Sequence, residues 1–205
     1  MISIKPIFSL DAMGWCGDAS RSACPNFDAR PENTEISLLV IHNISLPPGQ
    51  FGGVWIEALF ANELDCDAHP YFNQLRGLQV SAHFLIRRDA QLLQFVPTMQ
   101  RAWHAGQSEF KGRSRCNDFS IGIELEGSDF EPYTDAQYQA LTNLTLALAR
   151  HHPLTDVVGH EHIAPGRKTD PGPFFDWQRY RSETEAQQGK TIFDLKNIMT
   201  LSFPK

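Results

Sequence analysis

Short apolar stretches, repeated along the chain and separated by helical patterns, constrain its fold more than any other feature. Four of these stretches predict strands, at residues 36–41, 80–86, 119–125 and 156–158. Between the third and the fourth, apolar residues recur at helical spacing over residues 135–150. Strands that alternate with helices predict an α/β domain in which helices flank a mixed central β-sheet.

Local patterns add a hairpin and mark the helices more closely. Residues 80–86 and 92–96 are apolar on either side of a short polar turn, which predicts a β-hairpin. A first helix is predicted over residues 54–62, after a loop rich in Gly and Pro. The longer second helix is preceded by Thr134, which is placed to form a capping box with Gln137.

The length and composition indicate a single domain. A chain of 205 residues with 41% hydrophobic residues can bury one core and is short for two. Residues 1–34 are rich in Gly, Asp, Ser, Arg and Pro, so we expect an extended arm with little regular structure. Residues 36–177 contain the predicted strands and helices of this domain, and residues 180–205 form a tail with a weak helical pattern.

Charge and cysteine content narrow the possible partners and compartment. The formal net charge of −6 argues against nucleic acid or an anionic membrane as a partner, because both attract basic proteins. No apolar run reaches the roughly 20 residues that span a bilayer, and the N-terminal residues contain no signal-like apolar segment. The four cysteines form no C-x-x-C pair, which suits a reducing compartment. We therefore expect a monomeric, cytoplasmic protein.

Two histidines and one aspartate occupy positions that favour a shared metal site. His42 ends the apolar run 36–41, and His160 follows the predicted strand 156–158, so both lie at strand ends. Asp170 lies in a loop rich in Pro and Gly, which can fold back toward His160. Two histidines and a carboxylate form a recognised ligand set of hydrolytic zinc, in which the fourth position is left for water.

Neighbouring residues offer rival ligands. His162 is the leading rival, because residues two apart on an extended segment point the same way and His162 would then follow His160. Glu161 is a poorer candidate than Asp170, because adjacent residues on an extended segment point to opposite sides. A fourth protein ligand from His162 would make the zinc structural rather than catalytic.

Four other histidines are expected in different environments. We expect His83 and His104 to line a pocket, because each lies in mixed apolar and polar surroundings. His151 and His152 follow the long predicted helix and are expected at the surface, where positive charge suits a helix C-terminus.

A hydrolytic site also needs a group that moves protons, and the predicted strand 119–125 supplies candidates. Glu124 interrupts the apolar pattern, so its burial requires a metal or a partner such as an arginine. Glu126 shares the same sheet face, and the pattern alone does not choose between the two glutamates. Lys168, close to Asp170, could stabilise a negatively charged oxygen in a transition state or could be a solvated loop charge.

Longer segments around these residues carry a family resemblance. They are residues 40–49, 101–106, 115–127 and 163–173, and together with their surroundings they cover most of residues 36–177. In these segments the sequence resembles the AmpD family of cytoplasmic zinc amidases, which cleave 1,6-anhydro-N-acetylmuramyl-L-alanine peptides during cell-wall recycling. The wider family includes other muramyl amidases and peptidoglycan recognition proteins.

The resemblance implies a role for each candidate residue. Zinc would be bound by His42, His160 and Asp170. Glu124 would be the general base and proton carrier, which the resemblance favours over its neighbouring glutamate, and Lys168 would stabilise the transition state. The reaction would hydrolyse the amide between the lactyl group of the muramyl sugar and L-alanine.

The resemblance also implies contacts with an anhydro-muramyl peptide substrate. Asn43, Tyr71 and Arg115 are expected near the sugar or the peptide, with Arg115 facing a substrate carboxylate. The chain departs from the family at Gln79, where an arginine is expected, so affinity for an anionic peptide would depend more on Arg115. The alternative function is a peptidoglycan-fragment-binding module without catalysis, but such a module has no need for the complete set of catalytic residues.

Overall fold

The computed structural model describes residues 8–191 and 201–204, without the side chains of residues 189–191. The strands are β1 (Ser20–Arg21), β2 (Phe27–Ala29), β3 (Leu38–Ile44), β4 (Phe84–Ile86), β5 (Leu92–Gln94), β6 (Gln100–Ala102), β7 (Glu109–Phe110), β8 (Arg113–Ser114), β9 (Ser120–Glu126) and β10 (Asp156–Gly159). The α-helices are α1 (Trp55–Phe60), α2 (Asp135–His151), α3 (His160–Ile163) and α4 (Trp177–Thr191). Two 3-10 helices cover Pro70–Leu75 and Cys116–Asp118.

A six-stranded sheet in the order β1-β5-β4-β9-β3-β10 organises the molecule. β3 is parallel to both β9 and β10, and β4 is parallel to β9. β4 and β5 are antiparallel, as expected for the hairpin. The sheet is therefore mixed, and the predicted α/β fold with a mixed central sheet is confirmed.

Side-chain alternation along β3 divides the core between the two faces of the sheet. Leu39 and Ile41 pack with Leu141 of α2 in one cluster of buried apolar residues. Leu38 and Val40 point to the opposite face and belong to a second cluster. Both faces of this central strand are covered, which explains why it is a continuous apolar run in the sequence.

Local signals in the sequence correspond closely to the helices and turns that form. The side chain of Thr134 accepts a hydrogen bond from the Gln137 backbone at 3.1 Å, and the Gln137 side chain accepts from the Thr134 backbone at 3.1 Å. This capping box begins α2 one residue later, as predicted. The helix predicted over residues 54–62 forms as the shorter α1.

The N-terminal arm has more regular structure than the sequence suggested. Within it, β1 pairs in parallel with β5, and β2 pairs antiparallel with β6. Arg30 also attaches the arm to the core, because its guanidinium donates hydrogen bonds to the backbone carbonyls of Thr98, Asn117, Asp118 and Ser120. These long-range pairings leave no periodic signal in a short polar segment.

The short segment predicted around Trp177 was wrong, because Trp177 begins the 15-residue helix α4. Tyr180 on this helix is fully buried, and its hydroxyl lies 2.5 Å from the hydroxyl of Thr145 on α2. Residues 192–200, which include much of the predicted weakly helical tail, lie outside the described residues.

Two further observations bear on the environment of the protein. Cys16, Cys24, Cys66 and Cys116 are all free thiols. Among the described residues, no helix combines the length and the apolar character needed to cross a membrane.

A buried ion-pair network joins the end of β9 to the hairpin and to α1. Glu126 accepts hydrogen bonds from Arg87 at 2.7 Å and from the Gly52 backbone at 2.6 Å. Arg87 also contacts Glu57 of α1 at 2.5 Å. Because Glu126 is 2% exposed, its charge depends on these partners.

We predict that Glu126→Ala lowers the free energy of unfolding by about 3 kcal/mol, because it leaves Arg87 partly unpaired in a buried site. Denaturant unfolding monitored by circular dichroism measures the change. Asp67→Ala is the matched control, since the Asp67–Arg76 pair is exposed and should contribute less than about 1 kcal/mol. Equal effects of the two substitutions would contradict the assigned role of Glu126.

Candidate active site

The candidate active site forms where parallel strands end at one edge of the sheet. His42 continues the series of β3 side chains that points away from α2, and the strand register places it beside Glu124 of β9. β10 ends at Gly159, and His160 follows as the first residue of α3. Carboxyl ends of parallel neighbours meet at the same edge, which explains how residues far apart in sequence come together.

Three potential metal-binding atoms converge at this edge. Nδ1 of His42 lies 3.1 Å from Nδ1 of His160 and 2.9 Å from Oδ2 of Asp170. Nδ1 of His160 lies 3.1 Å from the same carboxylate oxygen. His42 and His160 are buried, and Asp170 is partly buried. The residues predicted as a ligand set are therefore brought together in a group that could hold a metal ion.

The other ring nitrogens of the two histidines face away from this group. Nε2 of His160 lies 3.1 Å from the Ala105 carbonyl, to which its N–H donates a hydrogen bond. Nε2 of His42 lies 3.0 Å from Nδ1 of His104. Burial lowers the pKa of His42, which favours a neutral ring at neutral pH. Two imidazole nitrogens that converge with one carboxylate oxygen match the donor set of a zinc site.

The loop that carries Asp170 is held by hydrogen bonds to the residue that follows it. The carbonyl of Pro171 accepts from the Tyr133 hydroxyl at 2.7 Å and from the Asn43 amide at 3.0 Å. The Asp170 carbonyl accepts from the backbone of Glu161 at 3.0 Å. These bonds fix a loop whose length and Pro/Gly content would otherwise allow several positions for the carboxylate.

Glu124 lies in an unusual environment for a carboxyl group. It is 9% exposed, and its Oε2 atom has no hydrogen-bond partner within the part of the chain that the structure describes. Burial raises the pKa of Glu124 well above its ordinary value, and the charge of Asp170 raises it further, while Lys168 opposes the shift. A buried, unpaired carboxyl group with a raised pKa is typical of a general acid or base.

Lys168 contributes a positive charge on the open side of the site. Its side chain is exposed, yet its charge lowers the pKa of both Glu124 and His42. Lys168 and Glu124, the two residues predicted to be catalytic, therefore interact electrostatically with each other, Lys168 also with His42, and Glu124 also with Asp170. Because the Lys168 ammonium is exposed in the free protein, folding does not require its desolvation. The side chain is also free to reach a bound substrate.

The extended conformation predicted for the segment that contains the rival ligands was wrong. His160, Glu161 and His162 lie in the short helix α3 rather than on an extended segment. His162 accepts a hydrogen bond from the Gly159 backbone at 3.0 Å and packs edge-on against Trp177. Neither His162 nor Glu161 belongs to the potential metal-binding group in the described residues.

Three other histidines have environments that differ from the expected ones. His83 is completely buried, and its Nδ1 accepts from the Gly122 backbone at 3.0 Å, so it lies in the core rather than in a pocket. His104 is also buried and contacts His42 instead of open space. His152 was expected at the surface but is buried, which lowers its pKa to about 3.

The residues predicted to contact substrate lie in different environments. Tyr71 is exposed on the 3-10 helix Pro70–Leu75. Arg115 is exposed and pairs with Asp118 at 3.2 Å. The Asn43 amide donates to Asp129 at 2.8 Å as well as to the loop carbonyl described above, so the structure shows it holding the loop. Its contact with substrate remains a prediction.

Comparison with known proteins decides the family. Residues 32–173 match the family described as N-acetylmuramoyl-L-alanine amidase. The chain belongs to this family. The resemblance to AmpD inferred from the sequence is confirmed, and the protein is an N-acetylmuramoyl-L-alanine amidase.

The amidase is 58% identical over 171 residues to the 1,6-anhydro-N-acetylmuramyl-L-alanine amidase AmpD of Citrobacter freundii. The match covers 82% of this chain and 91% of that relative. A crystal structure of a selenomethionine AmpD derivative has a TM-score of 0.81 and 56% identity, covering 85% of this chain and 98% of that one.

A more distant solved structure contains a bound substrate. It is the Escherichia coli N-acetylmuramyl-L-alanine amidase AmiD in complex with anhydro-N-acetylmuramic acid-L-Ala-D-γ-Glu-L-Lys. It has a TM-score of 0.54 and 30% identity, and the match covers 89% of this chain and 66% of that one.

We predict that Glu124→Gln changes how the stability of the metal-free amidase depends on pH. Protonated Glu124 avoids the cost of burying charge, so the native enzyme loses stability as pH rises from about 4.3 through the raised pKa. Glutamine cannot ionise, so the variant should become progressively more stable than the native enzyme over that range. Denaturant unfolding between pH 4 and pH 8 measures the difference, and a constant difference would contradict a raised pKa.

Proposed function

We propose that this amidase is zinc-dependent and hydrolyses the amide between the lactyl group of 1,6-anhydro-N-acetylmuramic acid and L-alanine of the stem peptide. The observation that carries the proposal is the convergence of His42, His160 and Asp170 beside the buried, unpaired carboxyl of Glu124. The high identity to AmpD supports the anhydro-muramyl substrate.

The proposed zinc ligands are His42, His160 and Asp170. Their three converging atoms are two imidazole nitrogens and one carboxylate oxygen, which suit zinc better than the oxygen-only sets that hold magnesium or calcium. When bound by such a set, zinc polarises the substrate carbonyl and promotes deprotonation of water. A zinc ion bound by two imidazole nitrogens and a single carboxylate would keep a net positive charge, which would favour both effects.

Glu124 is proposed to move the proton. Its unpaired Oε2 can accept a proton from the attacking water and then donate that proton to the nitrogen of the departing L-alanine. Burial favours this role, because a carboxyl group with a raised pKa holds the proton better between the two transfers.

Lys168 is proposed to stabilise the negative charge that develops on the substrate carbonyl oxygen. Its ammonium can approach the site from the solvent side, where the described residues leave it exposed. On the substrate side, Tyr71 and Arg115 are both exposed, which supports contacts with the sugar or the peptide. Gln79 is also exposed and uncharged, so recognition of an anionic peptide is assigned to Arg115.

The proposed setting is the recycling of cell-wall fragments in the cytoplasm. The curated relative from Citrobacter freundii is named for an anhydro-muramyl substrate, which is a fragment rather than intact wall. The four free thiols are compatible with a reducing compartment.

Chelator-sensitive amide hydrolysis is the first expected result. Purified protein incubated with anhydro-muramyl tripeptide should release the free tripeptide, detected by mass spectrometry. Removal of metal by a chelator should stop release, and added zinc should restore it. Asp170→Ala should lose zinc and activity, whereas the matched variant His162→Ala should keep both. Tripeptide binding without release by the zinc-loaded protein would instead favour a binding module.

Glu124→Gln should reduce turnover by at least about 100-fold while leaving the bound zinc and the fold unchanged, because it removes the proton carrier alone. Glu126→Gln is the matched control, since Glu126 lies on the same strand face but pairs with Arg87. It should cost stability with little loss of turnover in the folded enzyme. Turnover of Glu124→Gln close to the native value would reject the assigned role of Glu124.

A further inference from the structure

A hydrogen-bonded chain of buried groups leads from a backbone carbonyl to His42. The Ser120 hydroxyl donates to the Cys116 carbonyl at 2.6 Å. Nε2 of His104 lies 3.1 Å from the same hydroxyl oxygen. A hydroxyl has one proton, and a carbonyl can only accept, so the Ser120 oxygen must accept the next bond from Nε2–H of His104.

The proton position on His104 determines that on His42. His104 is buried, and no carboxylate contacts its ring among the described residues, so the ring is neutral and has one ring proton. With that proton on Nε2, Nδ1 of His104 is an acceptor. Nε2 of His42 lies 3.0 Å from it and must donate. When the His42 ring holds a single ring proton, that proton is on Nε2 and Nδ1 is bare.

We propose that Ser120 and His104 are positioning residues that fix the tautomer of His42, so that the Nδ1 lone pair is directed toward Asp170 and His160. This inference rests on the proposed metal-dependent function. Neither residue touches the three converging atoms, and both act through the His42 ring. The opposite tautomer would place a proton on Nδ1 of His42, where it would compete with a metal ion.

The surroundings hold the His104 ring in this arrangement. The side-chain carbonyl of Asn117 accepts hydrogen bonds from the backbone of His104 at 3.1 Å and of Ala105 at 2.8 Å. The ring lies against Gly122, where an added Cβ would come within 2.5 Å of it. Only glycine leaves room for the ring at this position of β9.

His160 is oriented by a separate contact. Its Nε2 donates to the Ala105 carbonyl, which is independent of the Ser120 hydroxyl. Loss of that hydroxyl should therefore disturb one histidine ligand and leave the other unchanged. His160 serves as an internal control in the same protein.

Histidine tautomers in the metal-free protein test the inference directly. Long-range ¹H–¹⁵N NMR spectra distinguish protonated from bare ring nitrogens. In the native protein, His104 should have its proton on Nε2 and a bare Nδ1, and Nε2 of both His42 and His160 should be protonated. In Ser120→Ala, His104 should populate the Nδ1–H form and His42 should lose part of its Nε2–H population, whereas Nε2 of His160 should stay protonated. A native His104 with its proton on Nδ1 would overturn the inference, whether or not the variant folds.

Zinc affinity provides the second measurement. Ser120→Ala should weaken zinc binding by about 10- to 100-fold in competition with a chromophoric chelator. Ser81→Ala is the matched control, because Ser81 is also buried, and its hydroxyl donates to the Asn26 carbonyl at 2.6 Å and accepts from the Trp103 backbone at 2.8 Å without a bond to the His104 ring. It should leave zinc affinity unchanged.

Equal zinc affinity in native, Ser120→Ala and Ser81→Ala proteins would also overturn the proposal. Failure of the proposed function gives a different pattern. If the native protein bound no zinc but showed the expected tautomers, the metal-dependent function would fail while the tautomer assignment remained. If the native protein bound zinc but His104 had its proton on Nδ1, the tautomer assignment would fail while the metal-dependent function remained.

Discussion

Parallel pairing of β3 with β9 and β10 is the constraint on which the rest of the site depends. The register places His42 beside Glu124 and brings the end of β10, just before His160, to the same edge of the sheet. A shift of one residue in either strand would turn the side chains to the opposite face, toward α2. The apolar runs that bury β3 and β9 on both sides therefore also fix the geometry of the chemical groups at their ends.

Two glutamates on one face of β9 are both buried but differ in their hydrogen bonding. Glu126 is paired with Arg87 and backbone amides, so its charge is stabilised. Glu124 is also buried, but one of its oxygens has no partner in the described part of the chain. Folding gains nothing from an unpaired buried carboxyl group. Such a departure from full hydrogen bonding is expected where a reaction requires it.

Much of the fold follows from local sequence signals, and the rest depends on contacts that such signals do not contain. The buried strands and the Thr134 capping box were predictable, and so was the position of His160 directly after a strand, whereas β3 continues for two residues beyond His42. Helix α4 was missed because few of its residues are apolar. The extended segment predicted at His160 was wrong, because the single helical turn that forms there is too short to produce a periodic pattern. The contact of His104 with His42 depends on tertiary packing alone.

The N-terminal arm illustrates how far this tertiary support extends. Arg30 donates to the carbonyls of Asn117, Asp118 and Ser120, in the segment that supplies the polar groups around His104. Burial lowers the pKa of Arg30 to about 10, so it remains charged at neutral pH and keeps all of these bonds. A charged group in the arm thus fixes the backbone that orients His104, which in turn contacts His42. The arm, for which the sequence predicts little regular structure, is therefore part of the framework of the candidate active site.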